Sequence, residues 1–146
     1  MSEILVLEST ASTNQFLLDK ARGGEKGPLA VIAKRQTAGH GRKGRSFVSN
    51  YGGAYVSALI RPKLKPERVY TLTISAAAIT ARCINTLYGI QPDIKWTNDL
   101  MYNGKKLCGI LVQGLTIGSD AFAVLGAGVN VSNDGLPDTA TSLARI

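Results

Sequence analysis

Gln36-Thr37-Ala38-Gly39-His40-Gly41-Arg42-Lys43-Gly44-Arg45 is the stretch on which the fold class turns, because Gly39 to Gly44 spells GxGxxG letter for letter. In a doubly wound dinucleotide fold such a loop follows a strand and opens directly into a helix, with an acid about twenty residues further on. The apolar run Leu29–Ala33 could serve as that strand. The residues after the loop, Ser46-Phe47-Val48-Ser49-Asn50-Tyr51-Gly52-Gly53, show no helical period and bring two more glycines. The next acid is Glu67, beyond Pro62 and Pro66. The Rossmann reading fails on these grounds, and no GK[ST] follows to make a Walker A loop. What remains is a pliable loop carrying Arg42, Lys43 and Arg45 among glycines. There, backbone N–H groups can close on an anion and arginines add paired donors.

Outward from this loop the chain reads as short strands and two helices. Residues 4–7 form a short apolar run. Ser12 with Gln15 three residues later fits a capping box, Phe16, Leu17 and Ala21 keep helical spacing, and Gly23-Gly24 stops the helix. Leu29–Ala33 and residues 54–60 read as strands, the second closed by Arg61-Pro62. Residues 72–87, rich in alanine, are the longest helical pattern, with Ile74, Ala78, Ala81 and Ile84-Asn85 on one face and Gly89 at the end. Residues 94–96 make a short strand, and Met101-Tyr102 leads into Asn103-Gly104, a strong hairpin signal. Residues 107–112 and 121–125 read as two strands joined through Gly118. This pattern predicts an α+β domain over residues 1–146: a mixed, largely antiparallel sheet flanked by helices.

Composition narrows the function classes. The 146 residues are 45% hydrophobic and 18% charged, which is globular rather than disordered or collagen-like. No apolar run reaches the roughly 18 residues of a membrane span, and the start Met1-Ser2-Glu3-Ile4-Leu5 has no basic region of a secretory signal. The expected location is the cytoplasm, with Cys83 and Cys108, which lack CxxC spacing, as free thiols. One histidine, His40, leaves no Cys/His zinc site and no basis for a Ser-His-Asp triad. The net charge is +7, and between Lys26 and Pro66 there is no acid but nine cations: Lys26, Lys34, Arg35, Arg42, Lys43, Arg45, Arg61, Lys63 and Lys65. Such a field draws an anion, either nucleic acid or a phosphorylated or carboxylated small molecule. DNA is disfavoured, since only Phe47, Tyr51 and Tyr55 are on hand in that stretch to stack on bases.

Five blocks then carry a resemblance across almost the whole chain. Ser12-Thr13-Asn14, the stretch Gln36 to Arg45, Lys95-Trp96-Thr97-Asn98-Asp99-Leu100, Lys105-Lys106-Leu107-Cys108-Gly109-Ile110-Leu111 and Gly126-Ala127-Gly128-Val129-Asn130-Val131 occur in the order found in biotin protein ligases. They resemble that family's STN, QTAGRGRRGR, KWPNDL, KKLxGIL and GAGINV blocks. The resemblance implies a catalytic fold of the class II synthetase-like, biotin/lipoate ligase kind. It also implies a two-step ATP-dependent ligase: biotin and Mg-ATP give biotinyl-5′-AMP, and a lysine of a biotin carboxyl carrier protein domain then takes the biotin. Such chemistry needs charge compensation and positioning more than a protein nucleophile. A domain that holds biotin or its adenylate without transferring it, or a lipoate-ligase-like acyl ligase, stands as the alternative.

Carried over position by position, the resemblance implies Lys106 and Arg42 as the catalytic groups. It implies Ser12, Thr13, Asn14, Gln36, Gly39, His40, Gly41, Arg42, Lys106 and Gly109 around biotin. Arg45, Phe47, Lys95, Asn98, Gly126 and Asn130 fall on the nucleotide side, and Asp99 is the candidate for the Mg²⁺ that accompanies ATP. Hydroxyls and an amide suit a neutral urea ring. Each residue also has a plainer reading: Ser12 as a helix cap, Lys106 as a surface lysine, Asp99 as a turn residue, Trp96 as packing. Three positions depart from the related blocks. His40 replaces an arginine and acts mainly through its backbone, Thr97 replaces a proline and loosens a turn, and Gln113 stands where an acid is frequent. The related catalytic domain continues past the Ala140-Thr141-Ser142-Leu143 region into an SH3-like domain, so this chain reads as C-terminally shortened. No helix-turn-helix precedes the domain to support a repressor role. Free strand edges allow a homodimer.

Overall fold

The computed structural model describes residues 3–62 and 68–146, apart from the side chain of Val69. Lys63, Lys65 and Glu67, and the start Met1-Ser2, lie outside the described residues.

Ser12 is where the chain turns helical. It is extended (φ −157°, ψ 133°), and its hydroxyl accepts from the Gln15 N–H at 3.4 Å, so it caps helix α1, Thr13–Arg22. Only half of the expected capping box forms, because the Gln15 amide turns to Asp19 instead, at 2.9 Å. Gly23 ends α1 without entering the left-handed region. The second helix, α2, runs Val69–Tyr88 and stops at Gly89, which is left-handed at φ 69°. Its buried stripe is Ala77, Ala81 and Ile84; Ala77 takes the place expected for Ala78, and Asn85 is exposed.

Among the described residues seven strands follow the sequence pattern: β1 (Glu3–Leu7), β2 (Leu29–Ala33), β3 (Gly53–Ile60), β4 (Asp93–Lys95), β5 (Asp99–Tyr102), β6 (Lys105–Ile117) and β7 (Asp120–Asn130). They form one sheet in the order β1-β2-β3-β7-β6-β5-β4. Among the described strands only β1 and β2 pair in parallel, so the expected mixed, largely antiparallel sheet is what forms. The β5–β6 hairpin turns on Asn103 (φ 47°) and Gly104 (φ 77°), both left-handed as a tight primed turn requires. β6 and β7 run longer than their apolar stretches, with pairing carried out to Ile117 opposite Asp120.

The two helices cover opposite faces of this sheet. Successive side chains of a strand alternate between faces. Phe122 and Val124 of β7 pack with Leu17, Leu18 and Ala21 of α1. Ala127 and Val129, in the other phase, pack with Ala77, Ala81 and Ile84 of α2. Burying both faces leaves β7 as a central strand, and its glycines are free to face something other than a core.

Both cysteines are free: Cys83 is exposed on α2 and Cys108 is buried in β6. Burial pushes the Cys108 thiol from 9.0 up to about 12. Because its folded value is the higher one, the stability it contributes is full below pH 9.0 and is lost as pH climbs from there towards about 12. A thiol-reactive dye at neutral pH should label Cys83 in the native protein and Cys108 only after unfolding. Equal labelling rates for the two in the native protein would contradict this packing.

Candidate active site

The site is built where α1 begins, on the face of the sheet that α1 covers. Thr13 and Asn14, the first residues of α1, are buried there. The Thr13 N–H and hydroxyl both donate to Gln36 Oε1, at 2.8 and 3.0 Å. The Gln36 amide nitrogen donates to Ser49 Oγ at 2.9 Å, and that hydroxyl donates to the Phe47 carbonyl at 3.0 Å. The Asn14 amide nitrogen donates to the Leu111 carbonyl at 3.2 Å and to Gln113 Oε1 at 2.8 Å. Gln113, where the related block has an acid, thus serves as a neutral acceptor. Ser57 on β3 completes the set, its hydroxyl 2.7 Å from Thr13 Oγ1 and 2.6 Å from Asn14 Oδ1.

Glycine-rich strands make room beside this network. A Cβ on Gly126 would meet Asn14 Oδ1 at 2.1 Å, and one on Gly128 would meet the Phe47 ring at 2.7 Å. Gly109 pairs with Gly128 across the β6–β7 ladder and lies under the same ring. From Gly126 to Gly128 is two residues along β7, roughly 7 Å. Within that step the environment changes from neutral amides and hydroxyls to cations.

Lys106 reaches the cationic end through an irregularity. In the β5–β6 ladder Leu100 pairs with Cys108 but Met101 pairs with Lys106, so Leu107 is an extra residue on β6. The bulge reverses the facing of everything before it. Without it Lys106 would face α2 with Cys108; with it the lysine shares a face with Gly109, its Cε 3.3 Å from where a Gly109 Cβ would sit. Lys106 Nζ is 2.8 Å from Asp99 Oδ1 and 5.6 Å from the centroid of Phe47. The Asp99 contact is an ion pair without hydrogen-bond alignment, and Oδ1 is shielded from solvent with no hydrogen-bond partner. The backbone of Lys106 is clamped by residues 139–141, donating to the Thr139 carbonyl and accepting from the Thr141 N–H, each at 2.9 Å.

The glycine loop closes over the top as a small hairpin. His40 pairs with Ser46, the Gly41 N–H donates to the Arg45 carbonyl at 2.7 Å, and the Phe47 N–H donates to the Gly39 carbonyl at 2.9 Å. Its tip is a single 3-10 turn, Arg42–Gly44, with Lys43 left-handed at φ 57°. The Arg42 guanidinium crosses to the segment between β4 and β5, donating to Thr97 Oγ1 and standing 3.5 Å from Asn98 Oδ1.

Together these line a half-open cavity of about 310 Å³. Ser12, Thr13, Asn14, Gln36, His40, Gly41, Arg42, Arg45, Phe47, Asn98, Asp99, Lys106, Gly109 and Gly126 all line it. Four cations, Arg42, Lys43, Arg45 and Lys106, face one carboxylate, Asp99. Three expected residues are not in the lining. Gly39 lies behind it, where a Cβ would strike Ser49 Oγ at 2.3 Å. Lys95 is exposed on β4. Asn130 is buried and donates to the Thr141 carbonyl at 3.0 Å and to the Lys106 carbonyl at 3.4 Å, so it braces the strand that carries the lysine. Trp96, expected as packing, is 73% exposed. The Ser12 cap and its place in the cavity coexist.

Ser57 and Tyr55 were not singled out by sequence reasoning. Their signal is that both fall in the buried phase of β3, with Leu59, and a hydroxyl in a buried phase needs a partner. Tyr55 lines the cavity, and its hydroxyl donates to the Asn50 carbonyl at 2.7 Å. Burial pushes Tyr55 from 10.0 up to about 12.

A basic loop, a lysine beneath it and a neutral pocket at a helix start line one cavity. The profile of the biotin/lipoate A/B protein ligase family matches residues 6–130. The chain belongs to the biotin/lipoate A/B protein ligase family. Among members, it is 38% identical over 149 aligned residues to the bifunctional ligase/repressor BirA of Bacillus subtilis, covering 96% of this chain and 45% of that protein. It is similar in structure to the biotin protein ligase of Aquifex aeolicus in complex with biotin and ATP, with TM-score 0.81, 30% identity and coverage of 98% of this chain and 60% of that one. The biotin protein ligase of Leishmania major in complex with biotinyl-5-AMP gives TM-score 0.78 and 28% identity, covering 97% and 63%. The chain thus spans about half the length of the curated relatives it matches. Among the described residues, no helix of this family member is long and apolar enough to cross a membrane.

No cluster of three or more metal-ligating side chains occurs among the described residues, and Asp99 is engaged by Lys106.

Proposed function

We propose that this domain is an ATP-dependent biotin protein ligase of the cytoplasm. It would join biotin and Mg-ATP into biotinyl-5′-AMP and transfer biotin to a lysine of a biotin carboxyl carrier domain, working as a monomer or a homodimer. The observation that carries this reading is the placement of Lys106 and Arg42 around one cavity whose other end is neutral. In the first step a carboxylate oxygen of biotin attacks the α-phosphorus and pyrophosphate leaves. Both reactants are anions, and Lys106 and Arg42 offset their repulsion and hold them in line. The ureido ring is met by the hydroxyls and amides of Ser12, Thr13, Asn14 and Gln36, which are preset by their own hydrogen bonds. In the second step the carrier's lysine amine attacks the anhydride carbonyl, an amide forms, and AMP departs with its electron pair. The loop keeps water from the anhydride until then.

Incubation with ATP, Mg²⁺, biotin and a carrier domain tests this, read as a biotin-sized mass increase on the carrier. Biotin-dependent pyrophosphate release accompanied by carrier labelling is the expected result. Tight biotin binding with no pyrophosphate release would replace the ligase with a binding module, and turnover with lipoate in preference to biotin would move the assignment to an acyl ligase of the other kind.

A further inference from the structure

Arg42 has two walls to serve. It lines the cavity described above, and with Ile110 it also bounds a second hollow of about 280 Å³ formed with Tyr70, Thr73, Trp96 and Thr97. An exposed arginine at the tip of a glycine hairpin has a large rotamer freedom to lose before it can hold an anion. Here something already holds it. Among the described residues, the side-chain hydrogen bonds that leave loop positions 40–46 for another part of the chain are those of Arg42, to Thr97 and to Asn98. The Asn98 contact is at the outer limit, 3.5 Å, whereas Thr97 Oγ1 is at 2.5 Å. The post it is tied to is firm. The neighbouring Asn98 donates from its side chain to the Ile110 carbonyl at 3.0 Å, and accepts from the Ile110 N–H at 2.7 Å.

We infer that Thr97 is a positioning residue: its hydroxyl latches the Arg42 guanidinium and thereby holds the glycine hairpin over the cavity before any ligand arrives. The inference rests on the ligase reading only for what the loop closes upon. Chemistry favours a hydroxyl in this role. A carboxylate at position 97 would neutralise the guanidinium and compete with the substrate anion. A neutral acceptor takes one N–H of five and leaves the charge and the remaining donors facing the cavity. Proline, which stands here in the related block, has no side-chain acceptor, so the latch is a property of this chain rather than of the motif.

Three variants separate the latch from a merely structural turn: Thr97→Val, which keeps the shape and removes the acceptor, Thr97→Ser, which keeps the acceptor, and Arg42→Ala. In the ligand-free protein, Thr97→Val should speed tryptic cutting after Lys43 and Arg45 by about three- to ten-fold, the scale of one partly exposed hydrogen bond to a charged group. Cutting outside the loop should be unchanged, and Thr97→Ser should match the parent. In the Arg42→Ala background, Thr97→Val should add nothing. In biotin-dependent pyrophosphate release, the valine variant should raise KM for ATP by a similar factor with a smaller change in kcat. Loop cutting that is the same in the valine variant and the parent would overturn the latch, as would a serine variant that behaves like valine, or equal effects of Thr97→Val with and without Arg42. A parent protein that neither binds biotin nor releases pyrophosphate would overturn the ligase reading instead, and the proteolysis arm would still decide the latch.

Discussion

Replacing Lys106 with alanine is expected to reduce biotin-dependent pyrophosphate release by about 10²-fold or more while the domain stays folded. The size of the effect follows from the site's charge. Arg42, Lys43 and Arg45 sit on a loop and are exposed. Lys106 is instead mounted on a central ladder, its side chain 33% exposed, its backbone bonded to residues 139 and 141. Among the described residues it is the one cation of the cavity whose position does not depend on loop closure, so its removal takes away a preorganised charge. The cost to stability is small by comparison. The ion pair with Asp99 is part-solvated, which limits it to about 1 kcal/mol or less. Lys106→Arg should retain more activity than the alanine variant, and Asp99→Asn should keep the fold while freeing the lysine. The check is pyrophosphate release beside a thermal melt for each variant. An alanine variant that is folded and fully active would remove Lys106 from the site.

That lysine also marks where sequence reading stops. The strands around it were legible, because apolar runs, the Asn103-Gly104 turn and the glycine stops are local signals. Which way Lys106 faces was not. By simple alternation it belongs with Cys108, against α2, and only the extra residue at Leu107 turns it into the cavity. A bulge is a property of two paired strands, so a single strand's pattern does not contain it. The far ends of β6 and β7 were missed for a related reason. Gln113, Gly114 and Thr116 read as loop alone but are strand because β7 pairs with them. The site's membership was legible mainly through the five ordered blocks, since Thr13 and Gln36 lie 23 residues apart and Arg42 and Thr97 lie 55 apart. At Lys95 and Asn130 the blocks gave membership without placement: the fold puts one on an exposed edge strand and the other behind the lysine's strand. A linear motif records co-occurrence, and only the register of the sheet shows which members face the same space.

Gly126→Ala should produce a large loss of stability. The new Cβ would lie 2.1 Å from Asn14 Oδ1 and 2.9 Å from its Cγ, so one of the two must move. The backbone of Gly126 is held on both sides, opposite Ser57 on β3 and Leu111 on β6, and a shift there would disturb two ladders. The cheaper response is to push out Asn14, which is 4% exposed and hydrogen-bonded to Leu111, Gln113 and Ser57. Stripping those partners in a buried site costs about 3–5 kcal/mol, which for a domain of this size lowers Tm by about 10 °C or more. Gly114→Ala supplies the control: it is a glycine of the paired strand β6, and its new Cβ would find its nearest neighbour at 4.0 Å, the carbonyl of Phe122. That variant should melt within about 2 °C of the parent. The steric origin is tested by combining changes, since Asn14→Ala should cost much less in the Gly126→Ala background than alone, two residues in contact being strongly coupled. Biotin binding should fail in Gly126→Ala even below its melting temperature, because Asn14 anchors the neutral end of the cavity. Additive effects of the two substitutions, or an unchanged melting temperature for Gly126→Ala, would show that the close approach of β7 to the start of α1 does not hold this site together.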